Sequence, residues 1–295
     1  MNCGSVESVD HDRQKLSEIA IVVGREAALT VAARRAEVFG DNAFYASHAG
    51  SEDAVSTKST PTDPVTVVDT ETERFVRARL AQLRPHDTVL GEELGGAGGD
   101  PGAVRWIVDP IDGTVNFLYG VPAYAVSLGA QIDGVSVAGA VADVVSGTVY
   151  AASLGGGARE IRADGTERPL RANPVSDPAL ALVATGFGYA RERRERQGRV
   201  LARLLPQVRD VRRIGSAALD LCMVAAGRVD AHYEHGLSPW DWAAGSLIAA
   251  EAGATVIVPG PDSSSSDGAL TLAVAPGIAD RFTAILGDAG GLDPL

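Results

Sequence analysis

Apolar residues recur at helical spacing near the start of the chain, at Leu16, Ile19, Val22, Val23 and Ala27. This pattern predicts an amphipathic helix from Leu16 to about Phe39. Residues 1–14 ahead of it are polar and read as a flexible tail. Residues 57–68 carry Pro61 and Pro64, then Val65, Val67 and Val68, so a turn should feed a short strand there. Asp69-Thr70-Glu71-Thr72-Glu73 has the make-up of a helix start, with Phe75, Val76 and Leu80 behind it.

Short apolar strands are predicted at 88–90 and 104–108, separated by the glycine-rich run 95–102, which reads as a mobile surface loop. Three further strands follow, at 124–132, 135–143 and 148–152. Asp133-Gly134 and Ser146-Gly147 between them suit antiparallel hairpins, and another hairpin is expected around Asp164-Gly165. From about Ala179 the style changes. Strands at 179–185 and 211–214 alternate with helices at 191–205, 216–226 and 240–252, and strands at 256–258 and 270–274 complete a second sheet. The serine-containing run 260–268 reads as a flexible loop. An antiparallel-rich first half followed by a βα-alternating second half predicts an α/β (α+β) protein of two stacked sheets with helices between them. The expected divisions are the tail 1–14, an α+β domain over 15–170 and an α/β domain over 171–295.

Composition supports a folded chain: 295 residues, 45% hydrophobic and 22% charged, with ample material for a core. A net charge of −12 disfavours nucleic acid and anionic membranes as partners. Only Cys3 and Cys222 are present, no run approaches a membrane span, and the start lacks the apolar core of a signal peptide. A reducing cytoplasm is the expected location.

The most informative stretch is Trp106-Ile-Val-Asp109-Pro110-Ile111-Asp112-Gly113-Thr114-Val115-Asn116-Phe117. A hydrophobic strand ends in an aspartate, Pro110 forces a turn, and a second aspartate follows. The proline helps aim both carboxylates toward one point. Gly113 and Thr114 then begin a helix whose first N–H groups could cradle phosphate. Carboxylates without nearby His or Cys are hard oxygen ligands, which suit Mg²⁺ shared with a phosphate. A lone DxxD spacing is usually a capped turn. The full string DPIDGT directly after a strand is far more specific. Glu92, in Gly91-Glu92-Glu93, and Asp241, in Trp240-Asp241-Trp242, occupy a strand end and a helix start. Singly, a solvated turn and a plain N-cap explain them better. Joined around a phosphate, these carboxylates would need divalent cations to relieve their repulsion, and the same cations could activate a water.

Other phosphate chemistry finds little support. No GxxxxGK[ST] loop occurs. Cys222 to Arg228 has the C-x5-R spacing of cysteine phosphatases, but Leu221, Met223, Val224 and Ala225 make it a core helix. The five arginines of 191–199 read as a solvated helix face, with a docking patch as the alternative. His232 and His235 flank Glu234, but nothing requires them as ligands.

These separated motifs, together with Asp63-Pro-Val-Thr-Val-Val-Asp69 and Gly215-Ser216-Ala217-Ala218, give the chain a clear resemblance to the inositol monophosphatase family, in particular its bacterial SuhB-type members. The resemblance runs from about Leu16 to the C-terminus. It implies the layered αβαβα sugar-phosphatase fold, usually as a homodimer. The first domain would then carry most metal ligands, and the second would contribute Asp241 and the substrate pocket. It implies Mg²⁺-dependent hydrolysis of inositol monophosphate, with sensitivity to lithium. Glu92, Asp109 and the Ile111 carbonyl would hold one Mg²⁺, and Asp109, Asp112 and Asp241 a second. A third ion would sit near Glu92, with Lys58 and Asp69 in the surroundings. Thr114 with Glu92 would activate the water, with Asp112 also catalytic, and the Gly113 and Thr114 amides would bind phosphate. Arg212, Gly215, Ser216, Ala217 and Glu234 would line the polyol pocket. Histidinol phosphate, fructose 1,6-bisphosphate and 3′-phosphoadenosine phosphates are alternative substrates of related folds. A regulatory role with transcription machinery is the alternative of another class.

Overall fold

The computed structural model describes residues 4–40, 55–58, 64–96 and 98–295. Helix α1 spans Gly4–Phe39. It therefore begins inside the segment 1–14 expected to be a flexible tail. Val6-Glu7-Ser8-Val9-Asp10 holds no proline or glycine to stop a helix, and acidic residues are favoured at a helix N-terminus. The buried stripe is Leu16, Ala20, Val23, Ala27 and Val31, whereas Ile19 is only partly buried and Val22 is exposed, so the face differs from the one the sequence spacing marked. Strands β1 (Val55–Thr57) and β2 (Pro64–Thr66) pair antiparallel. Helix α2 (Val67–Leu83) starts two residues earlier than its acidic run predicts, because Thr66 is the cap and Asp69 closes a capping box from the third helical position. Asp63, the first residue of one motif, lies outside the described residues.

Strands β3 (Thr88–Gly91), β4 (Val104–Asp112), β5 (Ala125–Ile132), β6 (Val135–Asp143), β7 (Val149–Ser153), β8 (Gly157–Ile161) and β9 (Glu167–Pro169) form one sheet in chain order, with helix α3 (Thr114–Tyr119) after β4. Only β3 and β4 run parallel; the other neighbours are antiparallel. Asp133 and Gly134 both take positive φ, 49° and 79°, as the tight hairpin between β5 and β6 demands.

The second half contains β10 (Leu182–Thr185), α4 (Arg191–Leu204), β11 (Asp210–Arg212), α5 (Ala217–Ala225), β12 (Ala231–His235), α6 (Pro239–Glu251), β13 (Thr255–Ile257), β14 (Leu270–Val274) and α7 (Ala279–Asp288). Its sheet order is β11-β10-β12-β14-β13. The central strand β12 has no sequence prediction behind it. Its sequence, Ala-His-Tyr-Glu-His, lacks the apolar alternation that betrays a strand, because polar groups point toward a cavity.

Five layers result. Leu16 and Val23 of α1 and Val76 and Leu80 of α2 pack with Val126, Leu128 and Ala140 on one face of the first sheet. On its other face, Cys222, Leu247 and Ile248 of α5 and α6 meet Val141, Tyr150 and Ala152. The same two helices cover the second sheet with Leu221, Val224, Trp242 and Ala249 against Ala184 and Ala273. Val200 and Leu204 of α4 and Phe282 and Leu286 of α7 close the far side over Val183, Tyr233 and Leu272. The architecture is the expected αβαβα stack. Helix α6 lies especially close to the first sheet: a Cβ on Gly139 would stand 3.0 Å from the Ala244 Cα, and one on Gly129 would stand 3.2 Å from the Ala243 carbonyl carbon. Those glycines let α6 settle deeply, which fixes the depth of Asp241. Among the described residues, no helix is long and apolar enough to cross a membrane.

Candidate active site

Strand β4 does not stop at Asp109 as Pro110 led one to expect. It continues to Asp112 through an irregularity: Asp109 faces Ser127 and Asp112 faces Ala125, so three steps on β4 match two on β5. Residues three apart on a regular strand point to opposite faces. The bulge cancels that alternation and brings both carboxylates to one side, and a proline lacking an N–H is tolerated there. Gly113 follows with φ 98°. A Cβ at this position would lie 3.0 Å from the Ala123 carbonyl and 3.1 Å from the Gly215 carbonyl. Only glycine fits this turn into α3 comfortably.

Oxygens of Asp109, Asp112 and Asp241 all lie within 4.8 Å of one another. Asp109 accepts a hydrogen bond from the Ile111 N–H at 3.0 Å. Asp112 Oδ2 accepts from the Ser216 hydroxyl at 2.6 Å and the Ala218 N–H at 2.7 Å. Asp241 is the third residue of α6, and its Oδ2 accepts the Ser238 N–H at 2.7 Å. Glu92 stands on the turn after β3, with Lys58 Nζ 2.8 Å from its Oε1; Lys58 also pairs with Glu93.

That turn has a support the sequence reading missed. Glu73 of α2 is fully buried and accepts hydrogen bonds from the Glu93 N–H at 2.7 Å and the Leu94 N–H at 3.3 Å, while Arg77 pairs with it at 2.8 Å. The only sequence signal was an acidic residue on the α2 face otherwise occupied by Val76 and Leu80. Thr114 Oγ1 lies 3.1 Å from Asp69 Oδ1 and 3.0 Å from the Ile111 carbonyl. Asp69 Oδ2 in turn accepts the Thr66 N–H at 2.9 Å.

Electrostatics follow from this crowding. Burial, reinforced by the charges of Glu92, Asp112 and Asp241, pushes the Asp109 carboxyl well above the usual carboxylate range. Burial and the Glu92 and Asp112 charges do the same to Asp241. Asp112 is pushed by burial up to about 6, against the pull of its Ser216 and Ala218 hydrogen bonds. Burial raises Glu92 too, with Lys58 opposing. Burial lifts Asp69 to about 6 against its Thr66 hydrogen bonds. Burial disfavours the Lys58 charge, yet Glu92 and Glu93 hold its ammonium above the ordinary lysine range. An oxygen-only, buried and mutually repelling donor set fits a hard divalent cation.

A cavity of about 610 Å³ opens over this cluster. Lys58, Glu92, Asp109, Ile111, Asp112, Gly113, Thr114, Gly215, Ala217, Glu234 and Asp241 line it. Ser216 is buried behind the wall, where it holds Asp112. Arg212 corrects the sequence reading: it sits on the edge strand β11, half exposed, and pairs with Asp210 at 2.7 Å. Its neighbour Arg213 lines the cavity instead. Alternation along a short strand turns adjacent side chains to opposite sides, and sequence alone did not fix the phase. Arg193 and the Ser265-Ser266 pair form part of the rim. Three arginines of α4 have partners within the chain: Arg193 with the Leu295 carbonyl, Arg194 with the Tyr189 carbonyl and Arg191 with Glu195. Cys222 is fully buried, and burial pushes its thiol well up, as expected of a core residue.

Fold and cleft together define the class, a phosphomonoesterase built around an acidic oxygen cluster. The Inositol monophosphatase family model matches residues 12–284, and the chain belongs to that family of metal-dependent phosphatases. Inositol-1-monophosphatase SuhB of Mycobacterium tuberculosis H37Rv is 56% identical over 291 residues, 97% of this chain and 98% of that protein. Nus factor SuhB of Vibrio cholerae is 38% identical over 229 residues, 77% of this chain and 84% of that protein. The solved structure of Mycobacterium tuberculosis SuhB superimposes with a TM-score of 0.79 at 51% identity, covering 95% of this chain and 98% of that one.

Proposed function

We propose that this enzyme hydrolyses inositol monophosphate to inositol and phosphate, using two or three Mg²⁺ ions held by its acidic cluster. The observation that carries the reading is the meeting of Asp109, Asp112 and Asp241 oxygens within 4.8 Å at the floor of a cavity that Glu234 also lines. Glu92, Asp109 and the Ile111 carbonyl are assigned to one ion and Asp109, Asp112 and Asp241 to a second, with a third beside Glu92. When bound, such ions neutralise the carboxylates, polarise the phosphoryl oxygens and acidify a water.

The remaining work belongs to the chain. Thr114, hydrogen-bonded to Asp69, aligns the attacking water with Glu92, and the Thr114–Asp69 pair receives the displaced proton. The Gly113 and Thr114 amides and Lys58 face the phosphate. A bond forms between the water oxygen and phosphorus as the ester P–O bond breaks, and the proton ends on the inositol alkoxide. Glu234 accepts hydrogen bonds from ring hydroxyls, with Gly215, Ala217 and Arg213 around it and Ser216 holding Asp112 from behind. We infer a homodimer in the cytoplasm, and two domains, 15–170 and 171–295, meeting at the cleft.

The test is kcat/KM for inositol 1-phosphate, histidinol phosphate, fructose 1,6-bisphosphate and a 3′-phosphoadenosine phosphate, with Mg²⁺ and with a chelator. Inositol phosphate should lead, and chelation should abolish turnover. An inositol phosphate far below histidinol phosphate in that ranking sinks the substrate assignment. Turnover surviving chelation sinks the metal assignment.

A further inference from the structure

Behind Glu234 lies a polar cluster that the mechanism above does not use. Asp220 of α5 and His232 of β12 are almost completely buried, at 1% and 0% exposure. His232 Nδ1 is 3.7 Å from Asp220 Oδ2, and its Nε2 is 4.0 Å from Glu234 Oε2. Both ring nitrogens and Asp220 Oδ1 are buried without a hydrogen-bond partner. Interior polar atoms are rarely left so, and three in one place call for a function. The imidazole stands between an interior carboxyl and the carboxyl that faces the substrate cavity.

Two arrangements could satisfy these atoms. A cation chelated by all three residues is one, since an oxygen of each carboxylate and one ring nitrogen lie within 4.8 Å of one another. The nearest nitrogen nevertheless differs, Nδ1 for Asp220 and Nε2 for Glu234. Those separate approaches favour a bridge. Neither gap is a hydrogen bond in this structure, and the bridge needs each carboxylate to come about 1 Å closer to the ring.

We propose that His232 is a positioning residue that links Asp220 to Glu234 and fixes the Glu234 carboxylate toward the hydroxyls of a polyol phosphate. The inference rests on the reading of Glu234 as the hydroxyl acceptor. Nε2–H donates to Glu234, and Nδ1 accepts from the Asp220 carboxyl. The required protonation agrees with the surroundings: burial holds Asp220 well above the usual carboxylate range and His232 down at about 3, so a neutral ring meets a protonated acid. Gly186 makes room for the Glu234 carboxylate where it lies, since a Cβ there would stand 2.1 Å from Oε2.

Two isosteric substitutions separate the halves of the bridge. In His232→Gln the amide nitrogen takes the place of Nε2 and can still reach Glu234; in His232→Asn it takes the place of Nδ1 and cannot. The assay compares KM for inositol 1-phosphate with KM for 4-nitrophenyl phosphate, which has no hydroxyl to read. In His232→Asn the ratio of these KM values should rise about tenfold, the loss of one charge-assisted contact, whereas His232→Gln should stay within about threefold of the parent. Glu234→Gln should raise the ratio as well, and adding His232→Asn to it should change little. Equal ratios in the two histidine variants overturn the bridge while leaving Glu234 its role if Glu234→Gln still shows the rise. An unmoved ratio in Glu234→Gln overturns the reading of Glu234 and the bridge with it. Zinc retained by the parent in excess Mg²⁺ and lost from His232→Asn would also overturn the bridge, in favour of a chelate.

Discussion

Removing one negative charge from the acidic cluster should stabilise the metal-free enzyme, although the same change removes its activity. Asp112 holds its proton up to about 6 in the folded protein, against 3.8 as the ordinary value. The folded state therefore binds more protons than the unfolded chain between those values, and stability falls as pH rises through that window. Above about pH 6 the full penalty is present, and the gap corresponds to about 3 kcal/mol. Asp112→Asn cannot ionise, yet its amide oxygen can still accept from the Ser216 hydroxyl and the Ala218 N–H now at 2.6 Å and 2.7 Å. In a chelator at pH 7.5 the variant should melt roughly 5 °C above the parent. At pH 4, where both side chains are uncharged, the two should nearly coincide. Saturating Mg²⁺ should narrow the difference, because ligand at 100-fold over its Kd stabilises the parent by about 2.7 kcal/mol and the variant by less. Scanning calorimetry at both pH values, with and without Mg²⁺, reads all of this. A variant that melts below the parent in chelator at pH 7.5 would refute the repulsion argument.

Gly91→Ala should cost about 2–3 kcal/mol and weaken Mg²⁺ binding, since its Cβ would stand 2.1 Å from the buried Glu73 Oε1 that anchors the Glu92 turn; urea unfolding and a Mg²⁺ titration check both parts. Thr114→Ala should lower kcat by about 10²–10³ with little change in KM, while Thr114→Ser keeps most of the rate; steady-state kinetics decide it. Arg212→Ala should leave kcat/KM for inositol 1-phosphate within about twofold, because its partner is Asp210 on the surface, whereas Arg213→Ala should raise KM; the opposite pattern would restore the original assignment.

What the sequence revealed depended on how local each signal was. Helix α1, the Asp133-Gly134 hairpin and the run of antiparallel strands are written in short-range periodicity and turn chemistry, and they were legible. Boundaries governed by one side chain were not: Thr66 rather than Asp69 caps α2, and Pro110 sits in a bulge rather than ending β4. The strand β12 was invisible because its inward residues serve a polar cluster rather than a core. Glu73 escaped notice for a related reason. Its partners, the Glu93 and Leu94 amides, are distant in sequence, and no local pattern announces a buried carboxylate acting as a turn anchor.

For the acidic residues themselves, the structural and chemical readings are not rivals. Asp69 and Asp241 each occupy the third position of a helix, and each gives Oδ2 to the backbone N–H of the capping residue. In Asp69 the other oxygen meets Thr114 at 3.1 Å; Asp241 reaches Asp109 and Asp112 across the cleft. A carboxylate has two oxygens with lone pairs to spare, so one can lock the rotamer while the other faces the site. A cap thereby supplies the rigidity that a reactive group needs, and the helix N-terminus lessens the cost of its charge. Five acids, Asp69, Glu92, Asp109, Asp112 and Asp241, crowded in a low-dielectric interior would otherwise relax apart when no cation is present. Held by a strand bulge, a turn anchored on Glu73 and two helix caps, they stay convergent, and their repulsion is what a divalent ion relieves on binding.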